Sequence, residues 1–124
     1  RYSDPDNILE TGIDIDVQPP GKAVQNITLF SGGEKALIAI SCLFAILRVR
    51  PVPMCILDEV EAALDVANVE RFAKYLREFS TQTQFIVVTH REGTMEECDL
   101  LYGATMQQKG VTKMQLTWLV HKEE

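Results

Sequence analysis

The apolar positions of this chain change their spacing several times, and each change marks an element. Ile13, Ile15 and Val17 alternate with Asp14, Asp16 and Gln18, a period of two that predicts a half-buried strand. Pro19-Pro20-Gly21 ends it, since proline removes a ladder donor. A short stretch, Val24 to Phe30, then leads to Ser31-Gly32-Gly33. From Glu34 to about Arg50 the spacing is helical. Leu37, Ile40, Phe44 and Leu47 mark one face, and Ile38, Cys42, Ala45 and Ile46 make the other faces apolar too. Such a helix is expected to be buried on most sides, and Pro51 and Pro53 stop it. Met54-Cys55-Ile56-Leu57 is a short continuous apolar run, as in a central strand covered on both faces. A second helix is predicted over roughly Val66 to Phe79, with Val69, Phe72, Ala73 and Leu76 at helical spacing and Asp65 as its N-cap. Phe85-Ile86-Val87-Val88 reads as a second buried strand. Two tail strands, Leu100 to Met106 and Val111 to Val120, join around Lys109-Gly110, with Met114, Leu116 and Trp118 alternating with polar neighbours.

Helix, strand, helix, strand is the rhythm of an α/β domain with a mainly parallel sheet, here followed by a β-hairpin. At 124 residues the chain is one domain or part of one, and its 46% hydrophobic content is enough for a core. Twelve basic against eighteen acidic residues leave a net charge of −6, which excludes a globally basic nucleic-acid surface. Arg48, Arg50, Arg71, Lys74 and Arg77 form either a local basic patch or ordinary solvated helix faces. Cys42, Cys55 and Cys98 show no CxxC pairing and no zinc-ligand spacing. Cys42 and Cys55 lie in apolar runs and are expected to pack as small hydrophobes, as in a reduced, intracellular protein. No signal peptide and no apolar run of membrane-spanning length is present, and a first residue that is Arg1 points to a fragment.

Both buried strands end in reactive side chains, Asp58-Glu59 and Thr89-His90, and open α/β sheets bind ligands at the carboxyl ends of their strands. Two adjacent carboxylates after an apolar strand are costly to place without a task. Mg²⁺ prefers carboxylate and water oxygens, so one acid can serve a metal while the next activates a water. The alternative is two acids that merely begin a loop in solvent. Ser31-Gly32-Gly33-Glu34 has the form of a capping box. Its paired glycines also bare backbone amides at a helix start, where the positive dipole end attracts phosphate.

Leu29-Phe30-Ser31-Gly32-Gly33-Glu34, Ile56-Leu57-Asp58-Glu59, Ala63-Leu64-Asp65 and Thr89-His90 follow one another in one order. That series resembles the carboxyl-terminal half of an ABC-type (RecA-like P-loop) ATPase: signature motif, Walker B, D-loop and switch histidine. More closely, SGGEKA, LDEVEAALD and FIVVTHREGTMEECDLLYGATM resemble the head of bacterial SMC (structural maintenance of chromosomes) proteins, over about Gly12 to Lys113. No G-x-x-x-x-G-K-[ST] P-loop is present, because Gly21-Lys22 is followed by Ala23 and preceded by Asp16 at the first glycine position. The resemblance therefore implies that residues 1–124 are the carboxyl-terminal lobe of the head, without P-loop, coiled coil or hinge.

The resemblance also implies roles. Asp58 would hold Mg²⁺, Glu59 would be the general base, and His90 would sense the γ-phosphate. Asp65 would organise the interface between heads. Ser31, Gly32, Gly33, Glu34 and Lys35 form the segment that would grip ATP carried by a second head. Expected partners are the amino-terminal head lobe, a second head in an ATP-dependent homodimer, and a kleisin subunit docked on the tail strands from Leu100 to Leu119. DNA would be reached through the full complex, in the cytoplasm at the nucleoid, with no membrane partner. Two other readings stand beside this one. The first is a non-catalytic docking platform. The second is a coiled-coil ATPase of the DNA-repair type, against which the Glu61–Asp65 and Gly93–Glu96 segments argue. A lone His after a strand can also be an ordinary satisfied polar residue, and Trp118 is most simply a core or interface anchor.

Overall fold

The structure, a computed structural model, describes residues 1–121. The central unit is a β-α-β crossover. Strand β3 (Met54–Asp58) and strand β4 (Gln84–Val88) pair in parallel, Met54 opposite Gln84 and Asp58 opposite Val88. Helix α2 (Val66–Phe79) joins them. It starts where the pattern placed it, with the Asp65 carboxylate accepting from the Asn68 amide at 2.8 Å. Val69, Phe72, Ala73 and Leu76 are all buried, so its apolar stripe is the face that packs. Buried Thr83 sets the entry to β4 by donating from its hydroxyl to the Val52 carbonyl at 2.7 Å.

Helix α1 (Gly32–Val49) lies against the same unit. Ile40, Phe44 and Leu47 join Leu57, Leu64, Val69, Phe72 and Leu76 in one core. The Phe44 ring stacks on Phe79 at a centroid distance of 5.1 Å and tilts against Phe72 and Tyr75. The expectation that α1 is buried on most sides does not hold within this chain. Ile46 is 63% and Val49 81% exposed, and Leu37 is also open to solvent. Cys42 is likewise exposed rather than packed, while Cys55 is half-buried and burial pushes its thiol pKa up.

The β3–β4 pair was expected to be covered on both faces and is covered on one. Cys55, Leu57, Phe85 and Val87 face the core, whereas Met54 (51%) and Ile56 (66%) are exposed with Ile86 and Val88. Parallel strands ordinarily have both faces buried, so this bare face is the feature of the fold that most needs explaining. A mainly parallel sheet is also more than this chain forms. The described residues hold one parallel pair and two antiparallel pairs, in three separate two-stranded sheets. The reason is topological: a further parallel strand needs a further crossover, and the sequence between Asp65 and Val88 supplies one.

The amino-terminal strand is shorter than its alternation predicts. Strand β1 (Asp16–Val17) pairs with β2 (Gln25–Asn26), and Ile13 forms only a bridge to Tyr2. Ile13 and Ile15 stay exposed, so among the described residues the alternation has no core to select it. A 3-10 turn (Ile27–Leu29) leads to buried Phe30 and the start of α1. The short helix α3 (Glu92–Glu96) follows β4. Strands β5 (Leu100–Gln108) and β6 (Val111–Trp118) form the expected terminal hairpin, turning through Gly110 at φ 81°. Its register puts Leu100 opposite Trp118, Tyr102 opposite Leu116 and Ala104 opposite Met114, which collects these six residues on one apolar face. That face is uncovered.

Accessible surface measures the same incompleteness. The chain exposes 9707 Å², against about 6,700 Å² for a compact monomer of its mass.

Candidate functional site

The site begins at the ends of β3 and β4. Because side chains alternate across a strand, Asp58 lies with Ile56 and Met54 on the bare face of the sheet, and it is exposed. The ladder continues one residue further, with the Glu59 amide donating to the Val88 carbonyl at 2.9 Å. Glu59 then takes φ 49°, the left-handed region that costs a non-glycine residue energy and is concentrated at functional sites. That turn carries its carboxylate to His90, where Oε1 and Nε2 are 2.6 Å apart. Glu59 and His90 are thus brought together from two strands, on the solvent side of the sheet.

Beneath this pair the same two segments are laced again. Glu61 is fully buried, and its Oε1 accepts from the hydroxyls of Thr94, at 3.0 Å, and of Thr89. Thr89 Oγ1 in turn accepts from the Arg91 amide at 3.0 Å, and Arg91 Nη1 donates to the Ala62 carbonyl at 3.2 Å. Sequence reasoning used Glu61 only as part of a motif. Its signal was a single acid inside Val60-Glu61-Ala62-Ala63-Leu64, where a lone charge in an apolar run has to be either exposed or bonded.

The start of α1 stands against the same loop. The capping box is present in full: the Ser31 amide donates to Glu34 Oε2 at 2.9 Å, and the Glu34 amide to Ser31 Oγ at 3.3 Å. The Ser31 amide first, and then the Ser31 hydroxyl, hold the Glu34 carboxyl below its ordinary value, with Lys22 Nζ at 3.6 Å adding to the effect. Gly33 approaches the Ala63 carbonyl so closely that a Cβ there would lie 3.0 Å from the oxygen. This contact explains one of the paired glycines. Gly32 has open space around it, and Ser31, Gly32 and Lys35 are exposed.

Asp65 is placed elsewhere. Its carboxylate caps α2 and joins neither Glu59 nor His90 in a hydrogen bond or ion pair among the described residues. No group of three or more His, Cys, Asp or Glu residues assembles a metal site among the described residues. Mg²⁺ is usually held by one or two carboxylates together with waters and substrate phosphates, and exposed Asp58 has the donor chemistry that such a site would use. No described helix is long and apolar enough to cross a membrane.

The α/β fold of this chain is similar to that of solved SMC heads. It matches, at 38% identity and TM-score 0.79, a structure from work on ATP-driven dimerization and DNA-stimulated activation of SMC ATPases, covering 94% of this chain and 71% of that one. It also matches an Smc head bound to the C-winged helix domain of ScpA, at 39% identity and TM-score 0.84, covering 96% of this chain and 36% of that one. The chain belongs to the family described as RecF/RecN/SMC N terminal domain, which it matches over residues 10–113. A curated relative, the chromosome partition protein Smc of Bacillus subtilis (strain 168), is 64% identical over 114 residues. The match spans 92% of this chain and about a tenth of that relative's length. The family description names an N-terminal domain, which differs from the carboxyl-terminal placement expected from the missing P-loop.

Proposed function

We propose that this chain is the carboxyl-terminal lobe of an SMC head and forms half of its ATP-hydrolysing site. One observation carries the reading: the Glu59–His90 contact of 2.6 Å at the carboxyl ends of two parallel strands, beside Asp58. In this reading Asp58 would hold Mg²⁺, which would supply charge stabilisation at the phosphate, and Glu59 accepts the proton of the attacking water. His90 orients Glu59 and meets the γ-phosphate. Exposed Ser31, with the amides of Gly32 and Gly33 and the neighbouring Glu34 and Lys35, grips ATP carried by a second head. Asp65, beyond capping α2, borders the interface between heads.

The bare face of β3–β4 and the outer face of α1 support another lobe as their cover. Both are apolar, both expose residues that a finished α/β domain covers, and Asp58 lies on the first of them. The sequence contains no P-loop to bind the phosphates itself. The missing element belongs to the amino-terminal lobe, and its P-loop would complete the site at the same strand ends. ATP then glues two heads and hydrolysis releases them, which is the use an SMC protein makes of it in chromosome partitioning in the cytoplasm, at the nucleoid. The uncovered apolar face of the terminal hairpin is the surface offered to a kleisin such as ScpA. DNA is engaged by the full complex, consistent with the net charge of −6 on this lobe.

The test is complementation. Co-purified with an amino-terminal lobe carrying a P-loop, the chain should restore Mg-ATP turnover that neither lobe shows alone. A stable two-lobe complex without turnover sinks the catalytic reading. Failure of the lobes to associate sinks the half-head reading.

A further inference from the structure

Among the described residues, Glu61 is the charged side chain with 0% exposure. Its Oε1 takes both threonine hydroxyls, and its Oε2 has no hydrogen-bond partner. A carboxyl buried with half its acceptors empty is costly to keep, and an aliphatic side chain would fill the same space without that cost. What it does at this position is bond, across the chain, to the two residues that flank the turn carrying His90.

The geometry is that of a double tie. Glu59 and Glu61 leave β3 two residues apart, and Thr89 and His90 leave β4 in succession. The upper tie, Glu59 to His90, is exposed. The lower tie, Glu61 to Thr89 and Thr94, is buried. Thr94 belongs to α3, whose Gly93 sits so close to α2 that a Cβ would be 3.2 Å from Val69 Cγ1. The lower tie therefore connects the β3 loop, the β4 turn and α3 to the rigid core, and the upper one rides on it. We propose that Glu61 is the positioning residue for the Glu59–His90 pair, holding the histidine at bonding distance through Thr89. This inference rests on the ATPase reading of the site.

The tie needs an acceptor at Oε1 and nothing from a negative charge. Glutamine retains that acceptor, so Glu61→Gln should keep most of the turnover. Glu61→Leu keeps the bulk and removes the acceptor. Thr89→Val removes only the hydroxyl, and with little volume change it is the variant least prone to misfold. In the full-length protein, Glu61→Leu and Thr89→Val should each lower kcat for ATP by about 10- to 100-fold, the cost of misplacing a catalytic group, with KM little changed. The double variant should be no worse than the poorer single one, since both cut the same tie. Rescue by Glu61→Gln but not by Glu61→Leu separates loss of the acceptor from loss of packing, since both replacements fill the site.

Turnover of Thr89→Val and Glu61→Leu within twofold of wild type overturns the proposal. So does a loss that follows only the folded fraction, or one that Glu61→Gln shares equally with Glu61→Leu. Glu59→Gln is run alongside. If it leaves turnover unaltered, the site reading itself fails and this inference with it. If it abolishes turnover while the Glu61 and Thr89 variants are unaffected, the inference fails alone.

Discussion

The Glu59 carboxylate reaches the His90 imidazole at 2.6 Å although thirty-one positions separate them in the chain. Neither residue has to travel, since β3 and β4 pair in register and end side by side, Asp58 opposite Val88. The left-handed turn at Glu59 aims the side chain along the strand ends. Parallel pairing is what converts two distant sequence motifs into one site.

If Glu59 is the base, Glu59→Gln in the full-length protein should slow hydrolysis by roughly 10²–10⁴-fold, the usual worth of a positioned proton acceptor. ATP-bound dimers should accumulate in sedimentation, because the glue is no longer dissolved. Turnover within a few-fold of wild type removes Glu59 from that role.

Exposed Ser31 stands at the outward-facing start of α1. Ser31→Arg should leave ATP binding by single heads close to wild type and abolish ATP-dependent dimerisation, read by equilibrium titration and by sedimentation with and without nucleotide. Loss of binding already at the single-head stage refutes a role across the interface.

The capping box carries its own pH signature. Glu34 has its folded-state pKa depressed by the Ser31 amide and hydroxyl and by Lys22, so its contribution is present above the unfolded pKa and lost as pH falls through the folded one. The start of α1 should therefore stay ordered through the range around pH 4.3 where a free glutamate protonates, and open only below it. Amide hydrogen exchange at the first turn of α1 follows this directly. A transition at or above the free-glutamate range contradicts the assignment, and Glu34→Gln should remove the dependence.

On the terminal hairpin, Leu116 and Trp118 share the apolar face and are exposed, Trp118 by 69%. Leu116→Asp should weaken binding of a ScpA-type winged helix to the head by roughly 30-fold or more, as expected of a central contact, with thermal stability and basal ATP turnover unchanged. Calorimetric titration checks it. An unchanged affinity moves the kleisin to another surface.

Much of this was legible in the sequence because it is local. The amphipathic stripe of α2 buried the four residues that its spacing named, and Asp65 and Ser31 cap the helices they precede. The hairpin turns at Gly110, where a positive φ is needed. Burial was less legible. The pattern of α1 and of β3–β4 says that several faces are apolar, but not whether this chain covers them, since an apolar face is written identically whether its cover is in cis or on another segment. Ile13 and Ile15 alternate as a strand would and remain exposed for the same reason. Glu61 escaped because its partners, Thr89 and Thr94, lie 28 and 33 positions away.

Sequence alone determined α1 and α2, their caps and the apolar runs of β3 and β4, all of which depend on residues within a turn or two of each other. Tertiary structure alone decided that Glu59 meets His90, that Gly33 lies on Ala63 and that Glu61 is sealed beneath them. Those contacts exist only once a parallel crossover has brought separate stretches to one edge, and no short-range rule carries that distance.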